Sequence, residues 1–212
     1  MSNKLTVYEM FESIQGESSF AGKTCFFVRL TGCNLRCRYC DTIAAYYGGT
    51  DLTVDQIVKK AIASKAEIIE ITGGEPLMQK AFPELAKALL GKCSRPVLVE
   101  TNGSLDISVI PAKAIAIMDI KCPSSCESAS NDLENIVRLR KHDEVKFVLS
   151  DGYDYEWALD LIKTTELQLR CKYIHLSPAD GQLDPDELAD WIKRDKPPAR
   201  LHLQLHKIMK VK

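Results

Sequence analysis

The sequence predicts an α/β fold built on a mainly parallel sheet. Short β-branched or apolar runs recur along the chain, and segments of helical apolar spacing separate most of them. Polar clusters follow these runs at their carboxyl ends, the arrangement by which parallel strands build one active face. With 212 residues, 45% of them hydrophobic, the chain can bury one substantial core, so a single domain over 1–212 is expected.

Residues 5–11 read as an extra strand ahead of the alternating series. Strands are then predicted at 25–30, 68–72, 97–100, 115–120, 145–149, 173–176 and 201–204. Thr53-Val54-Asp55-Gln56 is a capping-box pattern, in which the threonine hydroxyl and the glutamine amide each satisfy the other residue's backbone N–H. It opens a helix to about residue 65, and helical spacing recurs over 82–90, 133–140, 155–163 and 187–193.

The polar clusters keep step with the strands. Cys33-Asn34-Leu35-Arg36-Cys37-Arg38-Tyr39-Cys40 follows the first alternating strand, Gly73-Gly74-Glu75-Pro76 the second, and Glu100-Thr101-Asn102-Gly103 the third. Asp119-Ile120-Lys121 closes the fourth, while Ser177-Pro178-Ala179-Asp180 and Gln204-Leu205-His206-Lys207 follow the last two. Six such placements point to one shared site, with the closure of the barrel left open.

Lys+Arg 28 against Asp+Glu 29 gives a net charge of −1 without a basic block, which argues against direct nucleic-acid binding. The amino terminus has no basic-then-apolar signal pattern, and no apolar run nears the ~18 residues of a membrane span. A cytoplasmic protein is expected, in which eight cysteines serve as thiols or metal ligands rather than disulfides.

Three thiols within eight residues suit one face of a cuboidal 4Fe–4S cluster, leaving one iron open to a ligand that is not protein. The competing reading is half of a zinc site completed by Cys122, Cys126 or a histidine, although zinc sites usually pair two well-spaced dyads. Cys25, Cys93, Cys122, Cys126 and Cys171 are read as structural or incidental, since two further thiols are too few for a second cluster.

Cys33, Cys37 and Cys40, with an aromatic residue before the last thiol, resemble the signature of the radical S-adenosylmethionine (SAM) superfamily. The resemblance implies a modified partial (βα)6-type barrel, a cluster that chelates SAM, and cleavage of SAM to a 5′-deoxyadenosyl radical. It further implies that SAM meets Tyr39, Gly74, Glu75, Asp119, Ile120 and Lys121, and Ser177, Pro178, Ala179 and Asp180.

Within that superfamily the chain resembles the 7-carboxy-7-deazaguanine synthase family. The likeness rests on Phe11-Glu12-Ser13-Ile14-Gln15-Gly16-Glu17-Ser18, Phe27-Val28-Arg29-Leu30-Thr31-Gly32-Cys33, Asp41-Thr42 and the later clusters in the family's order. It implies contraction of 6-carboxy-5,6,7,8-tetrahydropterin to 7-carboxy-7-deazaguanine with loss of ammonia, on the way to queuosine-type bases. Ile14, Gln15, Gly16, Arg29 and Thr72 then contact the substrate, and Thr42 is a ligand to Mg2+, a cation that accepts few protein oxygens and keeps waters. A flavodoxin- or ferredoxin-type reductant and a homodimer are implied likewise. No residue is identifiable as the general acid or base.

The chain departs from the family at its end, where members often stop with an aromatic residue soon after Gln-Leu-His-Lys but this one continues Ile208-Met209-Lys210-Val211-Lys212. Two other functions share features of the sequence: a glycyl-radical-enzyme activase, against which Ile14-Gln15-Gly16-Glu17 argues, and a non-catalytic metal-binding module.

Overall fold

The computed structural model describes residues 3–211, so Met1, Ser2 and Lys212, at the two ends of the expected domain, lie outside the described residues. The strands are β1 (Lys4–Ile14), β2 (Thr24–Leu30), β3 (Thr50–Thr53), β4 (Ile68–Gly73), β5 (Val97–Thr101), β6 (Ile115–Ile120), β7 (Glu144–Leu149), β8 (Tyr173–Pro178) and β9 (Arg200–Leu201). The helices are α1 (Val54–Ala63), α2 (Phe82–Lys92), α3 (Asn135–Arg138), α4 (Gly152–Thr164), α5 (Pro185–Asp195) and α6 (Leu205–Met209).

The strands form one sheet in the order β3-β1-β2-β4-β5-β6-β7-β8-β9, parallel from β2 through β9, with β1 antiparallel to both β2 and β3. Because β3 and β9 are edges, the barrel does not close through its backbone. The α/β class and all eight expected strands are present, but the strand expected at 201–204 shrinks to Arg200–Leu201 and the chain turns into α6 instead. Strand β3 was not legible, being a four-residue, half-polar run that pairs only with the start of β1. The helix expected over 133–140 is reduced to α3, where Asn135 is fully buried and its amide donates to the carbonyls of Gly103 and Leu105 at 3.0 and 2.8 Å.

The capping box at Thr53 forms as expected: Gln56 N–H donates to Thr53 Oγ1 and Thr53 N–H to Gln56 Oε1. Val54, Ile57, Val58 and Ala61 then share the buried face of α1, as Phe82, Leu85, Ala86 and Leu89 do on α2. These faces pack on the sheet in the main core. A second, smaller apolar cluster of Cys25, Phe27, Ile68 and Leu98, with Phe11, Phe20 and Ile115 against it, plugs the barrel near the amino ends of its strands.

The segment after β1 bridges the gap that the open sheet leaves. Ser19 donates through its N–H and hydroxyl to the Glu144 carboxylate on β7, and Glu17 accepts from Lys146 on β7 and from Gln204 beyond β9. Leu205 N–H donates to Gly16 O at 3.0 Å, so the two ends of the chain meet beneath the strand ends.

Candidate active site

Above the apolar plug, alternate residues of successive strands change from apolar to ionisable. Registers Asp119↔Lys146 and Lys146↔His175 put three such groups side by side on β6, β7 and β8, and Glu70 and Glu100 stand on β4 and β5. A cleft of about 820 Å³ opens over this layer. Each of the six strand-end clusters contributes to its wall: Cys33, Gly74, Asn102, Asp119, Ala179 and Gln204.

The cysteine loop is held by protein contacts alone. Asn102 Nδ2 donates to Cys33 Sγ at 3.8 Å and to Asn34 Oδ1 at 3.1 Å, and Asn34 Nδ2 to Ser104 Oγ at 2.8 Å. Arg36 N–H donates to Glu127 and Arg38 N–H to Ser125 O, while Leu35 just before them is buried. Burial raises the Cys33 thiol and pushes Cys37 up to about 11, so a bound cation must supply the charge that draws off their protons. Among the described residues no three His, Cys, Asp or Glu side chains are gathered closely enough to hold a metal ion.

The two glycines after β4 are dictated by close approach. A Cβ on Gly73, whose φ is +151°, would stand 2.3 Å from Leu30 O, and one on Gly74 would stand 2.0 Å from Gly32 O and 2.9 Å from Cys33 Cβ. Gly74→Ala is therefore expected to displace the loop that carries Cys33 and lower cluster content after anaerobic reconstitution, with overpacking costing about 1–3 kcal/mol. Iron analysis checks this: full iron occupancy in G74A would show that the loop yields freely.

Of the residues expected to meet SAM, Tyr39, Gly74, Asp119, Lys121, Ala179 and Asp180 line the cleft. Asp119 Oδ2 pairs with Lys121 at 2.8 Å, while its buried Oδ1 has no hydrogen-bond partner among the described residues. Such an orphaned acceptor in the cleft wall fits a hydroxyl of a bound ribose. Tyr39 hydroxyl donates to Val148 O at 3.3 Å, leaving its ring in the wall. Ile120 lies in the main core, and Ser177 and Pro178 are buried off the wall, so any contact from Ile120 or Pro178 falls to the backbone.

Glu75 does not reach the wall. Its fully buried carboxylate accepts from Leu77 N at 3.0 Å, Thr101 Oγ1 at 2.9 Å and Asn102 N at 2.7 Å. Burial pushes it up to about 7 against those donors. In this structure its side chain ties Gly73-Gly74 to the Asn102 turn that supports Cys33.

The expected substrate residues Ile14, Gln15, Gly16, Arg29 and Thr72 all line the cleft. Gln15 is largely committed: its Nε2 donates to Glu70 and its Oε1 accepts from Glu17 N–H, leaving one amide hydrogen. Gly16 has no room for a Cβ, which would meet His206 Nδ1 at 2.3 Å. Arg29 Nε pairs with Glu9 at 3.0 Å, and Thr72 Oγ1 donates to Glu100 at 3.3 Å.

Thr42, the expected magnesium ligand, lies in the wall and donates its hydroxyl to Asp41 Oδ1 at 2.9 Å, which leaves the oxygen lone pairs for a cation. Burial works to raise Asp41, but Lys207 at 3.1 Å holds it below the ordinary carboxylate range. A hydroxyl and a nearby carboxylate fit magnesium, which keeps several waters. Lys207 lines the cleft, as do Lys210 and Val211, so residues that follow the Gln-Leu-His-Lys stretch take part in the wall.

Sequence reasoning missed the ion network beneath. Lys146, 4% exposed, donates to Glu17 and, at 2.7 Å, to Glu100, with Asp119 at 3.6 Å. Burial opposes its charge, but those carboxylates hold it well above the ordinary lysine range. A signal was present: strands buried on both faces run nearly continuously apolar, and Glu70, Glu100, Asp119, Lys146 and His175 each interrupt one.

The profile of the radical SAM superfamily matches residues 27–175. The chain is 43% identical to the 7-carboxy-7-deazaguanine synthase of Chlorobaculum tepidum, over 96% of this chain and 93% of that one. It is 37% identical to that of Koribacter versatilis, covering 97% and 96%, and 39% identical to that of Methanospirillum hungatei, covering 98% and 86%. The crystal structure of QueE from Escherichia coli superposes with a TM-score of 0.77 at 22% identity, over 95% of this chain and 94% of that one, and shows the same fold.

Proposed function

The chain belongs to the radical SAM superfamily and, within it, to the 7-carboxy-7-deazaguanine synthases, and from this we infer that its cleft contracts 6-carboxy-5,6,7,8-tetrahydropterin to 7-carboxy-7-deazaguanine with release of ammonia. The observation that carries the reading is the convergence of all six strand-end clusters on one cleft. Cys33, Cys37 and Cys40 would hold a 4Fe–4S cluster, Tyr39, Gly74, Asp119, Lys121, Ala179 and Asp180 would cradle SAM, and Thr42 would bind Mg2+. Together the cluster and SAM supply a hydrogen-abstracting deoxyadenosyl radical.

The protein's own task is position. Ile14, Gln15 and Gly16 offer ring-reading groups held in place by Glu70, Glu17 and Leu205, so little side-chain freedom is lost when a flat, polar ring binds. Arg29, oriented by Glu9, offers a guanidinium to a carbonyl or carboxylate. Among the described residues no helix is long and apolar enough to cross a membrane, and the enzyme is read as a single-domain cytoplasmic homodimer reduced by a flavodoxin- or ferredoxin-type protein.

The test is an anaerobic reaction of cluster-reconstituted protein with reductant, magnesium, limiting SAM and the carboxytetrahydropterin, followed by mass spectrometry. Deazaguanine in molar excess over SAM is expected, since hydrogen return regenerates SAM. Deoxyadenosine without deazaguanine would reject this substrate.

A further inference from the structure

Pterin and deazaguanine differ by one ammonia. The C–N bond that breaks leaves its electron pair on nitrogen, which departs as ammonia only if a proton reaches it. The contracted ring becomes aromatic by losing a proton from carbon, so one group that gives and then recovers a proton balances the step.

Among the cleft carboxyl groups, Glu17 and Glu100 pair with Lys146, Asp119 with Lys121, and Asp41 with Lys207, while Asp180 is exposed to solvent at the wall. Glu70 differs. It lines the cleft, is 3% exposed and forms no ion pair among the described residues; Gln15 Nε2 donates to it, and the Glu100 side chain lies within hydrogen-bond reach. Glu17, Glu100 and Asp119 already set three negative charges against the two ammonium groups of Lys121 and Lys146. A further carboxylate would be a buried charge without compensation.

We propose that Glu70 is the proton donor, and afterwards the proton acceptor, for the departure of ammonia, a role that rests on the reading of the reaction given above. Its proton passes to the leaving nitrogen, the C–N electron pair stays with that nitrogen, and the carboxylate left behind takes the ring proton as the carbon–carbon double bond forms. Lys146 donates to Glu100 at 2.7 Å and forms no ion pair with Glu70 among the described residues, so Glu70 is the carboxyl of the two that lacks a countercharge. The groups that face it are Cys25 on β2, Gln15 and Glu17 on the segment after β1, Glu100 on β5 and Lys146 on β7. Burial first, then the Glu100 and Glu17 charges, raises Glu70 well above the ordinary carboxylate range, which keeps the acid loaded at neutral pH.

Glu70→Gln preserves shape but carries no transferable proton. The test uses pterin deuterated on its saturated carbons, reading deuterium in SAM and deoxyadenosine for hydrogen abstraction and free ammonia for C–N cleavage. E70Q is expected to retain deuterium transfer while ammonia release falls by about a hundredfold, the scale of general acid–base catalysis. A selective loss below tenfold would overturn the proposal, as would parallel loss of both signals with the cluster intact. If E70Q takes up no cluster, Glu70→Asp decides by the same two signals: a selective ammonia defect supports the role and a parallel one overturns it. Wild-type protein that abstracts deuterium but releases no ammonia would bring down the reaction itself, a failure distinct from that of Glu70.

Discussion

Cys37→Ser is expected to abolish the cluster and SAM cleavage while leaving the protein folded. The first half follows from ligand count: with three protein thiolates on the loop, removal of one leaves two, too few to retain a cuboidal cluster. Activity should fall by more than the 10–100-fold typical of losing an outer-shell partner of a metal ligand. The second half separates this protein from a metal-folded module, in which binding energy is folding energy. Here Asn102, Ser104, Ser125 and Glu127 hold the loop through hydrogen bonds between protein groups, and Leu35 anchors its middle in the interior.

Circular dichroism and urea unfolding of the reconstituted variant, beside its iron content, check both halves. The exposed Cys126→Ser serves as control and should keep wild-type iron. Unfolding of Cys37→Ser would instead establish a structural metal, and iron loss in Cys126→Ser would place a ligand where none is expected.

What sequence could reveal was what is local. The cysteine spacing, the paired glycines and the Thr53 capping box each act within a few residues, and the structure realises the box hydrogen bond by hydrogen bond. Long-range pairing was not legible in the same way. Gln15 reaches Glu70, Glu17 reaches Lys146 and Gln204, and Ser19 reaches Glu144, contacts between segments 55 to 187 residues apart. Glu75 shows the limit of a motif: its chemistry suits a ligand, yet three neighbouring donors consume its oxygens and turn it into a brace. The open barrel was undecided from sequence because closure depends on how far β9 extends, and two residues of pairing leave α6 and the segment after β1 to seal it.

Lys146→Met is expected to destabilise the fold by about 3–5 kcal/mol at neutral pH, since it removes the cation that the buried Glu17 shares with the half-buried Glu100 and leaves their charge uncompensated. The pH dependence distinguishes this from simple misfit. In the native chain burial works to raise Glu17, yet Lys146 prevails and holds it below the ordinary range. Its contribution is therefore complete above about pH 4.3, the unfolded value, and is lost as the pH falls through the depressed folded value.

Methionine reverses the sign. With burial unopposed, Glu17 binds protons more tightly folded than unfolded, so the variant is least handicapped in acid and loses stability as the pH rises from about 4.3. Urea midpoints of wild type and K146M should then lie close together near pH 4 and diverge steadily toward pH 8. Adding Glu17→Gln and Glu100→Gln to K146M removes the charges that the lysine served and should recover most of the lost stability without restoring activity. A deficit of constant size from acid to neutral pH would mean that Lys146 contributes packing alone, and that the carboxylates above the apolar plug are solvated well enough to do without it.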